Sequence, residues 1–394
     1  MRSILKRGLC YNKRMIKKWV ILFLFTLSLS DLTSFAATQT TKKAVVPALP
    51  KIKNFTVAAW VPYWRAASGT AEIVKNISKV DIVSPFSFEM TETGTFKDPM
   101  KLDQDPYKSM IEMAKKNKKL VVPSILWWAE GSMRDSMDFV LKDDDLRLAV
   151  RLDIKDAVKK YNLDGIDIDF ENKKAETKDA FSKFLTELSK DMHGMGKILT
   201  CTIEARTPLD SKYTKVTPEL LKTIQYANDF KVIGKVCDQV RIMAYDQGND
   251  DKQLAGQRTD AYKPVADIDW VEKVLTLAMR DIPWKKIIVG VPTYGYKYEI
   301  SRDANNAIKS YTRLGSMNWF YADQLAKDLN ITPTRDKSGE LYYIYKKDNK
   351  EYLVWYSDAE SIKEKVTLAK LYKIGGVAIF KIDGNNDQNI WKNL

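Results

Sequence analysis

The segment Leu163-Asp164-Gly165-Ile166-Asp167-Ile168-Asp169-Phe170-Glu171 decides how the rest of the chain is read. Asp167, Asp169 and Glu171 occupy every second position and alternate with Ile166, Ile168 and Phe170. Side chains on a β-strand alternate with a period of two, so the three acids share one face and the apolar set the other. A solvated strand face with exposed acids would give the same alternation. The Ile, Ile, Phe set argues instead for a strand covered on both faces, as in a parallel sheet. Like charges crowded on one face in low dielectric raise one another's pKa, and a raised pKa on the terminal Glu suits a general acid working near neutral pH.

Working outward, the pattern predicts strands over 55–63, 80–88, 120–126, 163–171, 198–203, 239–245, 286–292 and 376–382. Amphipathic helices are expected over 70–79, 106–116, 143–161, 178–195 and 358–371. Strands alternating with helices of this length point to an α/β fold with a parallel sheet, and eight of them favour a closed barrel over an open doubly wound sheet. One section breaks the alternation, about 296–355. It holds Glu340-Leu-Tyr-Tyr-Ile-Tyr and Glu351-Tyr-Leu-Val-Trp-Tyr on either side of Lys346-Lys-Asp-Asn-Lys350, the pattern of a β-hairpin.

The N-terminus reads as a targeting segment. Lys17 and Lys18 precede an apolar run over 19–29, and Ser34-Phe35-Ala36 offers a cleavage site after Ala36. Met15 is an alternative start and an uncleaved anchor an alternative fate. Residues 37–53 read as a linker and 54–394 as one domain, so the expected location is secreted or at the cell envelope. The formal charge is +13; residues 1–36 hold seven Lys/Arg and one Asp, which leaves +7 for the remainder. A basic surface favours anionic cell-wall polymers and is equally a solubility feature. The lack of an interleaved basic-aromatic repeat argues against nucleic acid, and no stable protein partner is expected. Cys201 and Cys237 remain once Cys10 is lost with the signal; buried free thiols are the expectation, with a single bridge outside the cell as the alternative. His193 is the sole histidine, so neither a His-based metal site nor a Ser-His dyad is expected.

The acidic segment resembles the Asp-Gly-x-Asp-x-Asp-x-Glu signature of glycoside hydrolase family 18 position for position. Met243-Ala244-Tyr245-Asp246 is similar to the family's Met-Thr-Tyr-Asp, with Ala244 replacing Thr, and its alternation puts Arg241, Met243 and Tyr245 on one inward face. Gly290-Val-Pro-Thr-Tyr-Gly295 resembles the family segment at strand seven. Trp355-Tyr356 through Gly375-Gly376-Val377, with Ser361 opening a helix, resembles the C-terminal section, so the likeness spans most of 55–385. It implies a (β/α)₈ (TIM) barrel with Glu171 at the C-terminal end of strand four, and a small α+β insertion between strand seven and the last helix that walls a substrate groove. Two departures stand out: Ser124-Ile125-Leu126-Trp127 where many members have Ser-x-Gly-Gly, and Phe380 where a Trp usually floors the reacting sugar.

The resemblance implies a chitinase-like or spore-cortex-lytic-like glycosidase that uses substrate assistance. Glu171 would protonate the glycosidic oxygen, and the substrate's 2-acetamido oxygen would attack its own anomeric carbon. Asp169 would hold the acetamido N–H, Asp167 would share a proton with Asp169, and Tyr245 would donate to the acetamido oxygen. Asp246 would touch the same sugar, and Asp164 would order the strand entrance. No metal or organic cofactor is implied. Aromatic residues at strand ends, Tyr63, Trp64, Trp127 and Trp128, are candidate sugar platforms or ordinary packing, with Tyr294, Glu204, Arg206 and Glu89 as further candidates. The substrate would be a glycan containing N-acetylglucosamine, of chitin or peptidoglycan type. A catalytically silent sugar-binding protein on the same scaffold is the alternative.

Overall fold

A computed structural model of the chain describes residues 47–258, 261–384 and 387–394. The targeting segment, Cys10 and residues 37–46 of the expected linker lie outside the described residues. Eight parallel strands close on themselves: β1 Thr56–Val61, β2 Ile82–Met90, β3 Ser124–Trp128, β4 Gly165–Glu171, β5 Ile198–Glu204, β6 Gln239–Met243, β7 Ile287–Pro292 and β8 Gly376–Phe380. Each pairs with the next, and β8 returns to β1, with Thr56 opposite Gly376 and Ala59 opposite Ile379. This is a (β/α)₈ barrel with all its strand edges paired.

The acidic strand sits in it as its alternation requires. Asp167 and Asp169 point into the barrel; Ile166, Ile168 and Phe170 point outward and are fully buried under helix Lys178–Gly194. Phe170 stacks on Phe184 at 5.6 Å, one of several large rings that seal the strand against that helix. Removing a Phe or Leu side chain of this kind from water contributes roughly 1.5–3 kcal/mol. Gly165 opens the strand because a Cβ there would meet the Ile198 carbonyl oxygen at 2.3 Å. Asp164, just before it, accepts from the Val121 backbone N–H at 2.8 Å and so ties the entrance of β4 to its neighbour.

The boundaries shift in places for local reasons. Strand three is broken: Leu120–Val121 pairs with β2, and the ladder resumes only after Pro123, which has no N–H to donate, and runs on to Trp128. The first helix is Ala66–Lys75, earlier than the 70–79 window, because the chain turns into it directly after Tyr63–Arg65. The last helix, Ala359–Leu371, is opened by a capping box in which Asp358 accepts from the Ser361 N–H.

The insertion begins at Tyr294, two residues ahead of the expected 296. The predicted hairpin is present as Leu341–Lys347 and Lys350–Tyr356, turning through Asp348 and Asn349 at φ of 52° and 60°. Two consecutive positive φ values are what a tight hairpin turn needs, and Asp and Asn tolerate them. The hairpin is part of a larger five-stranded antiparallel sheet that also holds Tyr294–Arg302, Ile308–Asn318 and Thr334–Arg335. Helix Trp319–Asp328 covers one face through Ala322 and Ala326, against Tyr343, Val354 and Tyr356.

One expectation is corrected. Cys201 and Cys237 are joined in a disulfide rather than free, with Cα atoms 6.1 Å apart. Parallel pairing of β5 with β6 sets Cys201 opposite Val240, and Cys237 lies just upstream at the end of helix Phe230–Val236. Thirty-six residues of separation hid a contact that the barrel closes. Replacing both cysteines by Ala is expected to lower the unfolding free energy by about 2–4 kcal/mol, the range for a bridge closing a loop of this size. Urea unfolding of the variant, and of the parent with and without reductant, checks it; equal midpoints in all samples would refute the contribution.

Candidate active site

The C-terminal ends of the strands open into a cleft of about 520 Å³. Asp169 and Glu171 from β4 line it, with Trp128 and Leu126 from β3, Met243 with Tyr245 and Asp246 after β6, Glu204 from β5 and Phe380 from β8. Period-two alternation fixes which residues arrive: Leu126 lies beside Asp169 and Trp128 beside Glu171 in the β3–β4 register. The altered strand three therefore puts a leucine side chain into the cleft.

Charge is handled differently at each step up the strand. Asp167, fully buried, accepts from Ser124 Oγ at 2.6 Å, Thr202 Oγ1 at 2.9 Å, Trp60 Nε1 at 3.3 Å and Arg241 Nη1 at 3.3 Å. Arg241 also donates to Ser84 Oγ at 2.8 Å and lies entirely inside the barrel. Asp169 is buried too, yet its Oδ1 has no hydrogen-bond partner among the described residues. Burial raises its carboxyl well above the usual range, followed by the charges of Glu171 and Asp167. Glu171, at the rim, is pushed up to about 7, first by burial and then by Glu204, with Lys173 opposing. Burial, then Asp169 and Glu171, raise the Tyr245 phenol far above its ordinary value, which keeps it a neutral donor.

Local backbone completes the arrangement. Asn172 and Asp246, which follow the strand-four acid and Tyr245, both adopt left-handed φ of 56°, a conformation Asn and Asp bear better than other side chains. Asp246 Oδ1 accepts from the hydroxyls of Tyr294 and Tyr296, each at 2.7 Å. Gly290 on β7 leaves room for Tyr245: a Cβ there would lie 2.8 Å from its ring. Phe380 stacks on Tyr245 at 5.3 Å and meets Phe86 edge-on at 6.0 Å, so aromatic rings floor the cleft despite the missing Trp. The Phe380–Lys381 peptide is cis.

Three candidate platforms are placed differently from the sequence expectation. Trp127 has no exposure and packs on Phe170 at 5.2 Å, because it has the parity of Ile125 and faces the helices. Tyr63 does not line the cleft; it packs edge-on against Trp64 at 4.9 Å, with its hydroxyl on Glu89. Tyr294 is buried behind the cleft, its hydroxyl on Asp246 and its ring edge-on to Tyr245 and Phe380. Arg206 belongs to an adjoining cavity. His193 binds Asp238 at 2.9 Å and is distant in role from the cleft. Cleft residues the sequence reading missed are Phe86, Leu126, Asn172, Ala205, Gln247, Asp250 and Trp270. Strand parity would have found Phe86 and Leu126. Trp270, on helix Ile268–Ala278, carries no strand-end signal and is held by its Nε1 donating to Thr207 Oγ1 at 2.8 Å.

The model of the Glycosyl hydrolases family 18 matches residues 59–385. The chain belongs to family 18. Its relatives agree with that placement. A Bacillus subtilis glycosylase, YvbX, is 28% identical over 236 residues, 59% of this chain and 61% of the relative. The cortical fragment-lytic enzyme of Bacillus anthracis is 25% identical over 313 residues, 78% of this chain and 66% of the relative. The chain thus spans just under two thirds of the length of these curated relatives. Among solved structures, the Bacillus megaterium spore cortex-lytic enzyme SleL superposes with a TM-score of 0.70 at 23% identity, covering 88% of this chain and 75% of that one. A chitinase from Chromobacterium violaceum gives 0.69 at 20%, covering 86% and 97%. These structures share the family 18 fold.

The two neighbouring tryptophans are expected to separate on substitution. Trp127→Ala should cost about 3–5 kcal/mol of stability as a core truncation. Trp128→Ala, at an exposed cleft wall, should stay within about 0.5 kcal/mol. Urea denaturation of both variants checks this, and equal losses would contradict the assigned faces.

Proposed function

We propose that the protein is an exported hydrolase that cleaves β-linked, N-acetylglucosamine-containing glycan, of chitin or peptidoglycan type, by a retaining, substrate-assisted reaction. The observation that carries the reading is a pair at one strand end: Glu171, kept protonated to about pH 7, and Asp169, whose buried Oδ1 has no hydrogen-bond partner among the described residues. Glu171 gives its proton to the glycosidic oxygen as the bond to the anomeric carbon breaks. The 2-acetamido carbonyl oxygen forms a new bond to that carbon, giving an oxazolinium ion. That Asp169 oxygen suits the acetamido N–H and the positive charge that develops, with the charge of Asp167 beneath it helping to raise the Asp169 carboxyl. Tyr245, held neutral, donates to the acetamido oxygen and aligns it. Water, deprotonated by the now ionised Glu171, opens the ring with the original configuration.

Trp64, Trp128 and Phe380 suit the apolar faces of sugar rings, and Asp246, fixed by Tyr294 and Tyr296, suits a sugar hydroxyl. Glu204 suits a place at the edge of the same groove. Relatives named for cortex lysis and for chitinase activity support a substrate of this class. The N-terminal targeting pattern and the buried Cys201–Cys237 bridge support action in an oxidising compartment outside the cytoplasm.

Glu171→Gln is expected to lower kcat on chito-oligosaccharides and on peptidoglycan strands by about 10²–10⁴-fold while leaving oligosaccharide binding intact. Reducing-end release and calorimetry read the two; if the parent cuts neither polymer yet binds sugar as the variant does, a sugar-binding protein replaces the hydrolase. The pH profile gives a second test. The protonated acid is the active form, so kcat/KM should fall as pH rises through about 7. Glu204→Gln removes a negative neighbour and leaves Lys173 unopposed; both changes favour the ionised acid, so the alkaline limb should move to lower pH. A limb that stays in place or moves up would rule out this electrostatic assignment.

A further inference from the structure

A second cavity, of about 490 Å³, adjoins the cleft and shares Asn172, Glu204 and Ala205 with it. Its wall carries four cations, Arg134, Lys173, Arg206 and Lys212, against one acid, Glu204. Two of the four are matched: Lys173 lies 3.6 Å from Glu204, and Lys212 lies 2.6 Å from Asp250. The two arginines differ. Among the described residues neither forms an ion pair; Arg134 Nε donates to the Asn172 carbonyl and Arg206 Nη2 to the Asn228 carbonyl, each at 2.9 Å.

Arg206 is the more telling of the two. Its guanidinium is stacked between Tyr226 at 3.6 Å and Phe230 at 3.9 Å, and half withdrawn from water. Stacking fixes the plane of the fork while leaving its N–H edge available. A cation removed from water without a counter-ion is costly. Arg147, Arg151 and Arg241, also largely withdrawn from water, each rest on a carboxylate. Arg134 reaches the same cavity from helix Ser132–Lys142 and is anchored on the residue directly after Glu171. A neutral sugar chain offers nothing to pair with two guanidinium groups beside the cleaved bond, whereas a carboxylate is the planar, two-oxygen acceptor that an arginine fork matches.

We propose that this cavity binds a carboxylate carried by the glycan next to the cleaved bond, so that the enzyme prefers an acidic, peptidoglycan-type strand to a neutral N-acetylglucosamine chain. The inference rests on the hydrolase reading given above. Such a carboxylate has two sources, the lactyl ether on the sugar itself or the peptide attached to it. The substrates that separate them are strands stripped of peptide, with free lactyl carboxylates, and strands still bearing peptide. Stripped strands whose carboxylates have been amidated supply a neutral control of the same length.

The expected result is a kcat/KM ratio of stripped to amidated strands well above one in the parent, falling about tenfold or more in Arg206→Gln and in Arg134→Gln. Arg206→Lys, which keeps the charge but loses the fork, should fall between. Arg134 is exposed, so its variant reports even if the stacked Arg206 position proves intolerant. A preference shown only by peptide-bearing strands, and lost in the two glutamine variants, assigns the carboxylate to the peptide and still supports the cavity. If neither stripped nor peptide-bearing strands show a preference over amidated ones that falls in the glutamine variants, the proposal is overturned. Should no strand or oligosaccharide be cut, the hydrolase reading fails by itself. Calorimetric binding of stripped against amidated strands to the parent and Arg134→Gln then decides the cavity on its own.

Discussion

Asp167 and Arg241 meet 3.3 Å apart inside the barrel, where neither side chain reaches water. A buried ion pair persists only when further hydrogen bonds offset the loss of hydration, and Asp167 has them from Trp60, Ser124 and Thr202 on three different strands. The lowest acid of β4 is thereby paired inside the barrel. Among the described residues Arg241 Nε and Nη2 have no hydrogen-bond acceptor, and its positive charge also acts on Asp169. Asp169 and Glu171 sit above this pair without a cation of their own at contact distance. Burial then dominates at both, only partly opposed by the charge of Lys173, and both carboxyls rise. One strand so presents three identical functional groups in three electrostatic settings.

The rest of the cleft is arranged to keep that gradient in place. Lys173, buried beneath the site, donates to the Phe170 carbonyl and stands near Glu204, which in turn accepts from the Asn172 backbone at 2.9 Å and from Asn228. The insertion braces the cleft from behind Asp246 and contributes no lining residue of its own. Its first strand carries Tyr294 and Tyr296 to Asp246, and its buried Glu340 accepts from the Val265 and Ala266 backbones and from Ser357. Lys365, fully buried 3.9 Å away, balances Glu340, which makes the attachment of insertion to barrel a satisfied polar contact. The loop after β6, which supplies Asp246 and Gln247 to the cleft, is thus fixed from both sides.

Much of this was legible because barrel chemistry follows simple periodicity. The alternation in 163–171 forces its acids onto one face whatever surrounds them, and the same rule brings Arg241 and Met243 inward on β6. The hairpin around Asp348-Asn349 was readable from its turn residues. The misplacements have physical causes of the same order. Trp127 and Trp128 are adjacent, and only parity against a neighbouring strand tells which reaches the cleft; Pro123 obscured that register. Tyr63 and Tyr294 lie at strand exits, where the chain leaves the regular ladder and alternation stops constraining direction.

What the sequence by itself determined was the kind of barrel, the strand that carries the acids and the order in which they climb it, since these depend only on the period of a strand and on local turn chemistry. What the tertiary structure alone decided were contacts between residues far apart in the chain. The Cys201–Cys237 bridge, the Asp167–Arg241 pair and Trp270 in the cleft wall belong to that group. So do the two guanidinium groups that share one cavity. Each requires two strands or a strand and a helix to be brought together by closure of the barrel, and no local pattern encodes which residues that closure will set side by side.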